Sequence, residues 1–254
     1  MHSFRVWSLV FPLLAVFACR DATAPSLAGS QIRVPHHTRF VLVTPSTTPQ
    51  VSAGSNHTCG LKTDGTAVCW GENELGQVTV PDGLTSVVQL SAGFRHNCAL
   101  KTDGTVVCWG DNRFGQATVP DGLTSVAQVS GGAIHTCALK TDGNVVCWGA
   151  NGLDWNYGQA IVPDGLGSVA QVSAGGLHTC ALKADGTVFC WGDGLHHVPS
   201  GLTSVAQVSG GTSHTCALKI DGTVVCWGDN SYGQLTVPSG IAPVAQVSAG
   251  YQHT

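Results

Sequence analysis

The sequence predicts an all-β protein, a β-propeller of four-stranded blades. Three observations predict it. A unit of about 39 residues recurs along the chain, each unit reads as short strands joined by Gly-rich turns, and both faces of its central hairpin are apolar. The composition agrees. Hydrophobic residues make up 43% of the 254 and charged residues only 10%, with 33 glycines, which is the wrong balance for a disordered chain. Eleven cations against fifteen anions leave a net charge of −4. No basic face is available to offset phosphate, so a nucleic-acid partner is not expected.

The chain opens with an export signal. One firm cation, Arg5, precedes the apolar stretch Val6 to Ala18, which is too short to span a bilayer and has the length of a signal-peptide core. It ends Val16-Phe17-Ala18-Cys19, which resembles the bacterial lipobox, where the cysteine is acylated and becomes the first mature residue. Residues 1–19 are therefore expected to be a signal peptide and Cys19 a lipidation site; ordinary secretory cleavage with an incidental Cys19 is the alternative. Arg20 after the cysteine fits sorting to an outer membrane, again by resemblance. Residues 20–50 are rich in Ala, Ser, Thr and Pro and read as a semi-extended tether, with Arg39 to Val43 patterned as one strand.

From Val51 to Thr254 one unit repeats. The phrase Val-Ser-(Ala/Gly)-Gly, led once by Leu90, starts units near 51, 90, 129, 172, 208 and 247. Five units are complete. The third gains residues around Leu153 to Tyr157, and the fourth loses some around Leu195 to His197. Within a unit, Val126 to Ser130 alternates as a first strand, His135 to Lys140 is a second, Val145 to Trp148 a third, and a fourth ends at Val162-Pro163. The sequence stops at Thr254 where every complete unit continues into Cys. It therefore reads as a fragment lacking one or two blades, unless each blade borrows its last strand from the next unit and Ala245 to Ser248 completes the fifth.

The central hairpin follows from its turn. Thr102-Asp103-Gly104 separates two strands, and a three-residue loop with Gly at the left-handed position is a favoured connection. Counting outward pairs Lys101 with Thr105, Leu100 with Val106, Ala99 with Val107 and Cys98 with Cys108. The cysteines fall at a non-hydrogen-bonded site, where Cα atoms approach closely enough for a disulfide. The same count pairs Cys59 with Cys69, Cys137 with Cys147, Cys180 with Cys190, and Cys216 with Cys226. Zinc is the rival reading, because a His lies two residues before the first Cys of every pair. A structural zinc site takes four convergent ligands, and a unit offers at most three.

The hairpin presents Cys98, Leu100, Val106 and Cys108 on one face and Ala99, Val107 and Trp109 on the other. A sheet apolar on both faces must be stacked between neighbours. Trp70, Trp109, Trp148, Trp191 and Trp227 recur once per unit and are expected to pack between blades.

No catalytic residue, cofactor or metal site is expected. His57, His96, His135, His178, His214 and His253 recur at one place per unit, as a hydrogen-bonded framework would and an asymmetric catalytic cluster would not. Asp64, Asp103, Asp142, Asp185 and Asp221 each precede the turn Gly and cap it. No phosphate loop, nucleophile elbow or metalloprotease helix is present.

Recognition is expected where the units differ. One window holds Asn56, Phe94, Arg95, Ile134, Leu177, Ser213 and Tyr251. The other holds Glu74-Leu75, Arg113, Phe114, Asp154, Trp155, Asn156, Tyr157, His196, His197, Ser231 and Tyr232. Loops on a rigid scaffold carry binding, and Tyr, Trp, Phe and Arg are enriched at interface hot spots. The candidates for contact with a protein partner are Phe94, Arg95, Arg113, Phe114, Trp155, Tyr157, His196, His197 and Tyr232. Unselected surface drift is the competing explanation.

The segment His96-Asn97-Cys98-Ala99-Leu100-Lys101-Thr102-Asp103-Gly104 with Val107-Cys108-Trp109-Gly110, preceded by Ser91-Ala92-Gly93 and followed by Gly115-Gln116, resembles the regulator of chromosome condensation repeat. That resemblance implies a β-propeller, typically of seven blades. The short units are similar to those of secreted bacterial members, including propeller inhibitors of β-lactamase. The family's nuclear founder exchanges nucleotide on a small GTPase and contacts chromatin. Here the negative charge, the export signal and the paired cysteines depart from it, and no inserted wedge is long enough to open a nucleotide site. The expectation is a non-enzymatic, lipid-anchored or secreted propeller of the cell envelope that binds an unidentified protein and meets membrane only through its anchor. The alternatives are an inhibitor of a secreted enzyme such as a β-lactamase, an inherited exchange activity, and a purely structural envelope protein.

Overall fold

Residues Arg39–Thr254 form one compact unit. The computed structural model describes residues 50–152, 154–194, 197–241 and 243–254. The signal peptide, Cys19 and His196 lie outside the described residues, as does the tether except for Gln50, which opens the first strand.

Each unit folds into one antiparallel sheet of three strands in chain order. The first blade is β1 (Gln50–Ala53), β2 (His57–Leu61) and β3 (Ala67–Gly71); the second is β4 (Val87–Ala92), β5 (His96–Lys101) and β6 (Val106–Gly110). The third is β7 (Val126–Gly131), β8 (His135–Lys140) and β9 (Val145–Gly149). The fourth is β10 (Val169–Ala174), β11 (His178–Lys183) and β12 (Val188–Gly192), and the fifth is β13 (Val205–Gly210), β14 (His214–Lys219) and β15 (Val224–Gly228).

The turn sets the register. Lys101 N–H donates to the Thr105 carbonyl at 2.9 Å, closing the loop over Gly104, which sits at φ 77°. Asp103 Oδ1 accepts from Thr105 N–H at 3.0 Å and holds the turn from within. Leu100 then faces Val106, Ala99 faces Val107 and Cys98 faces Cys108. All five cysteine pairs are disulfide-bonded, each with Cα atoms 4.1 Å apart.

The expected fourth strand does not form among the described residues. The segment after each third strand spends its donors locally. Val78 N–H donates to Asn73 Oδ1 at 3.0 Å, Thr79 N–H to the Gly76 carbonyl at 3.1 Å and Val80 N–H to the Val78 carbonyl at 3.2 Å; Pro81 has no N–H to give. The segment still packs, since Val80 and Leu84 join one interblade core and Val119 and Leu123 the next.

Those cores lie between blades rather than within them. The Cys–Leu face of one blade meets the Val–Ala–Trp face of the next: Cys98, Leu100 and Val106 pack on Val126, Val129, Ala138 and Trp148. The same arrangement joins Cys59 and Leu61 to Leu90, Ala99 and Trp109, and it recurs at the next two junctions. Val244 and Val247 cover the fifth blade's Cys216 and Leu218. Trp70 differs from the other four tryptophans. Its face of the first blade meets no other sheet among the described residues, and it is 52% exposed.

The first strands of successive blades stand side by side, joined by side chains instead of a ladder. Gln89 Oε1 accepts from Val129 N–H at 2.9 Å while its Nε2 donates to the Val129 carbonyl at 3.0 Å, and Ser91 Oγ accepts from Gly131 N–H at 2.9 Å. Ala245 to Ser248 joins the fifth blade in this way and not by strand pairing: Val247 N–H donates to Gln207 Oε1 and Ala249 N–H to Ser209 Oγ, both at 2.9 Å.

Candidate functional site

Both variable windows emerge at one end of the blades. In each unit the first window links the first strand to the second, and the second window follows the third strand, so antiparallel order carries both to the same end. Main-chain bonds tie them together: Asp111 N–H donates to the Arg95 carbonyl at 2.9 Å, Glu72 N–H to Asn56 at 2.9 Å and Asp229 N–H to Ser213 at 2.8 Å. The opposite end carries the same Asp-Gly turn in every blade, closed in three of them by a Lys–Asp pair across the turn, as in Lys101–Asp103 at 3.1 Å. One end is therefore uniform and the other is individual.

Beneath the individual end runs a framework of histidines. His96 Nε2 lies 2.8 Å from Thr136 Oγ1, His135 Nε2 the same distance from Thr179 Oγ1, and His57 Nε2 the same from Asn97 Oδ1, each crossing to the next blade. Burial holds His96 at a pKa of about 4 against the opposing pull of Asp111, with His57 adding to the depression. Burial likewise takes His135 to about 3, reinforced by His96. These rings are neutral structural members. Among the described residues no cluster of three His, Cys, Asp or Glu could hold a metal ion.

The loops of all six units converge on an axial opening of about 100 Å³ lined by Gly54, Gly93, Gly132, Gly175, Gly211 and Gly250 with their neighbours. Phe94 is half-buried at its rim, its ring centroid 5.8 Å from that of Tyr251, and the Arg95 guanidinium lies 5.9 Å from the Phe94 centroid. Arg113 is spent on Asp111, Nε donating to Oδ1 at 2.9 Å and a terminal nitrogen to Oδ2 at 2.7 Å. That contact raises the arginine's pKa. Burial opposes ionisation of Asp111, yet the bonds from Arg113 prevail and hold its carboxyl below the ordinary range. Phe114 is half-buried, and its carbonyl accepts from Asn151 N–H at 3.0 Å, which links it to the enlarged loop of the third unit. Trp155 and Tyr157 stand on that loop, each 52% exposed, and Tyr232 on the fifth blade is 66% exposed. His197 is exposed.

The expected residues thus divide. Phe94 and Arg95 gather at the axis, Phe114, Trp155 and Tyr157 share one sector, and Tyr232 belongs to another blade. Ile161, 69% exposed, escaped the sequence reading. The signal was present, since it stands where the first, second and fifth units carry Thr79, Thr118 and Thr236.

The regulator of chromosome condensation (RCC1) repeat matches residues 50–77, 87–116, 126–159, 169–197 and 205–234, together more than half of the chain. The chain belongs to this repeat family. No curated protein sequence matches it significantly. Among solved structures, it is similar to the entire ectodomain of the receptor kinase CR4 from Physcomitrella patens, at 28% identity and a TM-score of 0.66 over 79% of this chain and 55% of that one. The CRINKLY WD40 ectodomain of the Arabidopsis thaliana receptor kinase ACR4 matches at 27% identity and a TM-score of 0.57, over 70% of this chain and 64% of that one. Prp20p of Saccharomyces cerevisiae, described with its binding to Gsp1p and histones, matches at 20% identity and a TM-score of 0.62, over 80% of this chain and 66% of that one. This RCC1-repeat chain spans less than two thirds of either plant ectodomain. The likenesses identify its stacked blades as the propeller fold.

Proposed function

We propose that this RCC1-repeat chain is a non-enzymatic propeller, exported to the cell envelope on a lipid anchor or secreted, that binds a protein through its individual end. One observation carries the reading: Trp155, Tyr157 and Tyr232 stand in solvent at the end where the units differ, while the opposite end repeats one turn. Exposed aromatic side chains at a rigid rim are the side chains from which interface hot spots are made. Five disulfides support a location outside the reducing cytosol, as do the two plant ectodomains. Lipid attachment at Cys19 and inhibition of a secreted enzyme such as a β-lactamase are finer versions of the same reading.

The test is affinity capture from a native envelope fraction with the wild-type chain and with Trp155→Ala, Tyr157→Ala, Tyr232→Ala combined. A protein held by the wild type and lost by the triple variant is the expected result. Equal capture by both places the binding surface elsewhere, and no capture by either removes the reading.

A further inference from the structure

Three consecutive blade junctions share one polar knot. The main-chain carbonyl of Gln116 accepts from Thr136 Oγ1 at 2.8 Å and from Trp148 Nε1 at 3.0 Å. Gln77 does the same for Asn97 at 2.7 Å and Trp109 at 3.1 Å, and Gln159 for Thr179 at 2.9 Å and Trp191 at 3.0 Å. Each glutamine is buried and follows a Gly, and its own Oε1 accepts a main-chain N–H of its loop, as from Phe114 at 2.8 Å. A carbonyl with two lone pairs is thereby filled by two donors from the next blade.

The junction between the fourth and fifth blades lacks this knot. Val198 comes seven residues after Trp191, whereas Val119 comes ten after Trp109, and the shortened loop contains no Gly-Gln pair. Both donors remain in place. Trp227 is only 6% exposed, and its Nε1–H has no acceptor. Thr215 Oγ1 is fully buried, 2.8 Å from His178 Nε2, with no carbonyl among the described residues to take its proton. An indole N–H buried without a partner is costly and rare.

We propose that these two donors form a binding hole for a main-chain carbonyl of the protein partner, inserted where the deleted glutamine would stand. The inference rests on the proposed protein-binding function and deepens it. A peptide carbonyl is the occupant because the same pair of donors is closed by one at all three intact junctions. A carboxylate is disfavoured, because Asp193 and Asp229 follow the two third strands at this junction and no Lys or Arg lies on either segment. The hole opens at the end of the blades that carries both variable windows, so a partner loop gripping Trp155 and Tyr232 lies within reach of it.

The test uses the full oxidised chain labelled with 15N at tryptophan and the probe acetyl-Gly-Gln-amide, which copies the missing pair; Trp227→Phe assigns the resonance. The Trp227 indole N–H is expected to exchange with solvent faster than those of Trp109, Trp148 and Trp191, and to shift saturably with the probe while those three stay still. A second variant replaces residues 193–197 by the sequence of residues 111–118. It should abolish the shift, raise the thermal midpoint and lose the captured partner. A Trp227 N–H as protected as the others and indifferent to the probe overturns the hole. Capture retained by the loop-restored variant but lost by the Trp155, Tyr157, Tyr232 variant overturns the partner's use of it and leaves the proposed function standing. If the wild type captures nothing, the proposed function falls while the indole response still decides whether the hole exists.

Discussion

His96 Nε2 and Thr136 Oγ1, forty residues apart in sequence, meet at 2.8 Å in the buried seam between the second and third blades. The threonine has one proton, and it goes to the Gln116 carbonyl. The hydroxyl must therefore accept from the imidazole, which fixes His96 as the neutral ring protonated on Nε2. Its Nδ1 is buried and has no partner. A second proton there would place an unpaired charge in the core, which is the physical origin of the depressed pKa.

Thr136→Val tests the seam. It keeps the shape but strands His96 Nε2 and one lone pair of Gln116. The expected loss is roughly 1–3 kcal/mol in urea unfolding, with Thr136→Ser close to wild type. An unchanged midpoint for Thr136→Val contradicts the framework role.

Acid should loosen the blades before any carboxylate titrates. In the unfolded chain a histidine takes its proton near pH 6.5, while folded His96 does so only near 4 and His135 near 3. Between those limits the unfolded state binds more protons, so stability is full above pH 6.5 and falls as the pH drops. His96 alone contributes a loss of about 3 kcal/mol by pH 4. Thermal midpoints measured from pH 7.5 to 4 should decline across that window; a flat profile contradicts neutral, buried rings.

Gly93 is required by space. A Cβ there would lie 2.5 Å from both the Gly132 carbonyl oxygen and His96 Cε1, so Gly93→Ala should push adjacent blades apart at the axis. Gly83, at φ 75° with nothing within 4 Å of the added carbon, should lose only about 1 kcal/mol on the same change, as left-handed glycines do. Comparable unfolding midpoints for the two variants would contradict the close axial approach.

Much of the hairpin is legible in the sequence. A three-residue turn and a period of two suffice to place Cys98 opposite Cys108, because every step of that argument is local. The junctions are not legible. Gln89 reads as an ordinary polar position on a strand, and only the stacking of a blade forty residues away makes it the partner of Val129. The fourth strand was misplaced for a related reason. Val78 to Pro81 has a strand's composition, but Asn73 and the adjacent turn capture its donors first. At the candidate site the sequence supplies Trp155, Tyr157 and Tyr232 as exposed aromatics. It does not show that Asp111 already occupies Arg113, or that a loop three residues shorter leaves Trp227 without an acceptor.

Removing one bridge by Cys98→Ala with Cys108→Ala should weaken the fold by no more than about 3 kcal/mol, since each bridge closes a loop of separation 10. The other four blades keep theirs, so the unfolding transition should shift while the captured partner is retained. Loss of folding would assign the bridge a larger role than loop closure provides.

The oxidation state of the ten blade cysteines tests the account most directly, because the compartment and the stapled blades both depend on it. The native exported protein is denatured without reductant, alkylated, digested and mapped by mass spectrometry. The account predicts five linked peptide pairs, Cys59 with Cys69 through Cys216 with Cys226, and no alkylation at any of the ten. Alkylated thiols at these positions would contradict it.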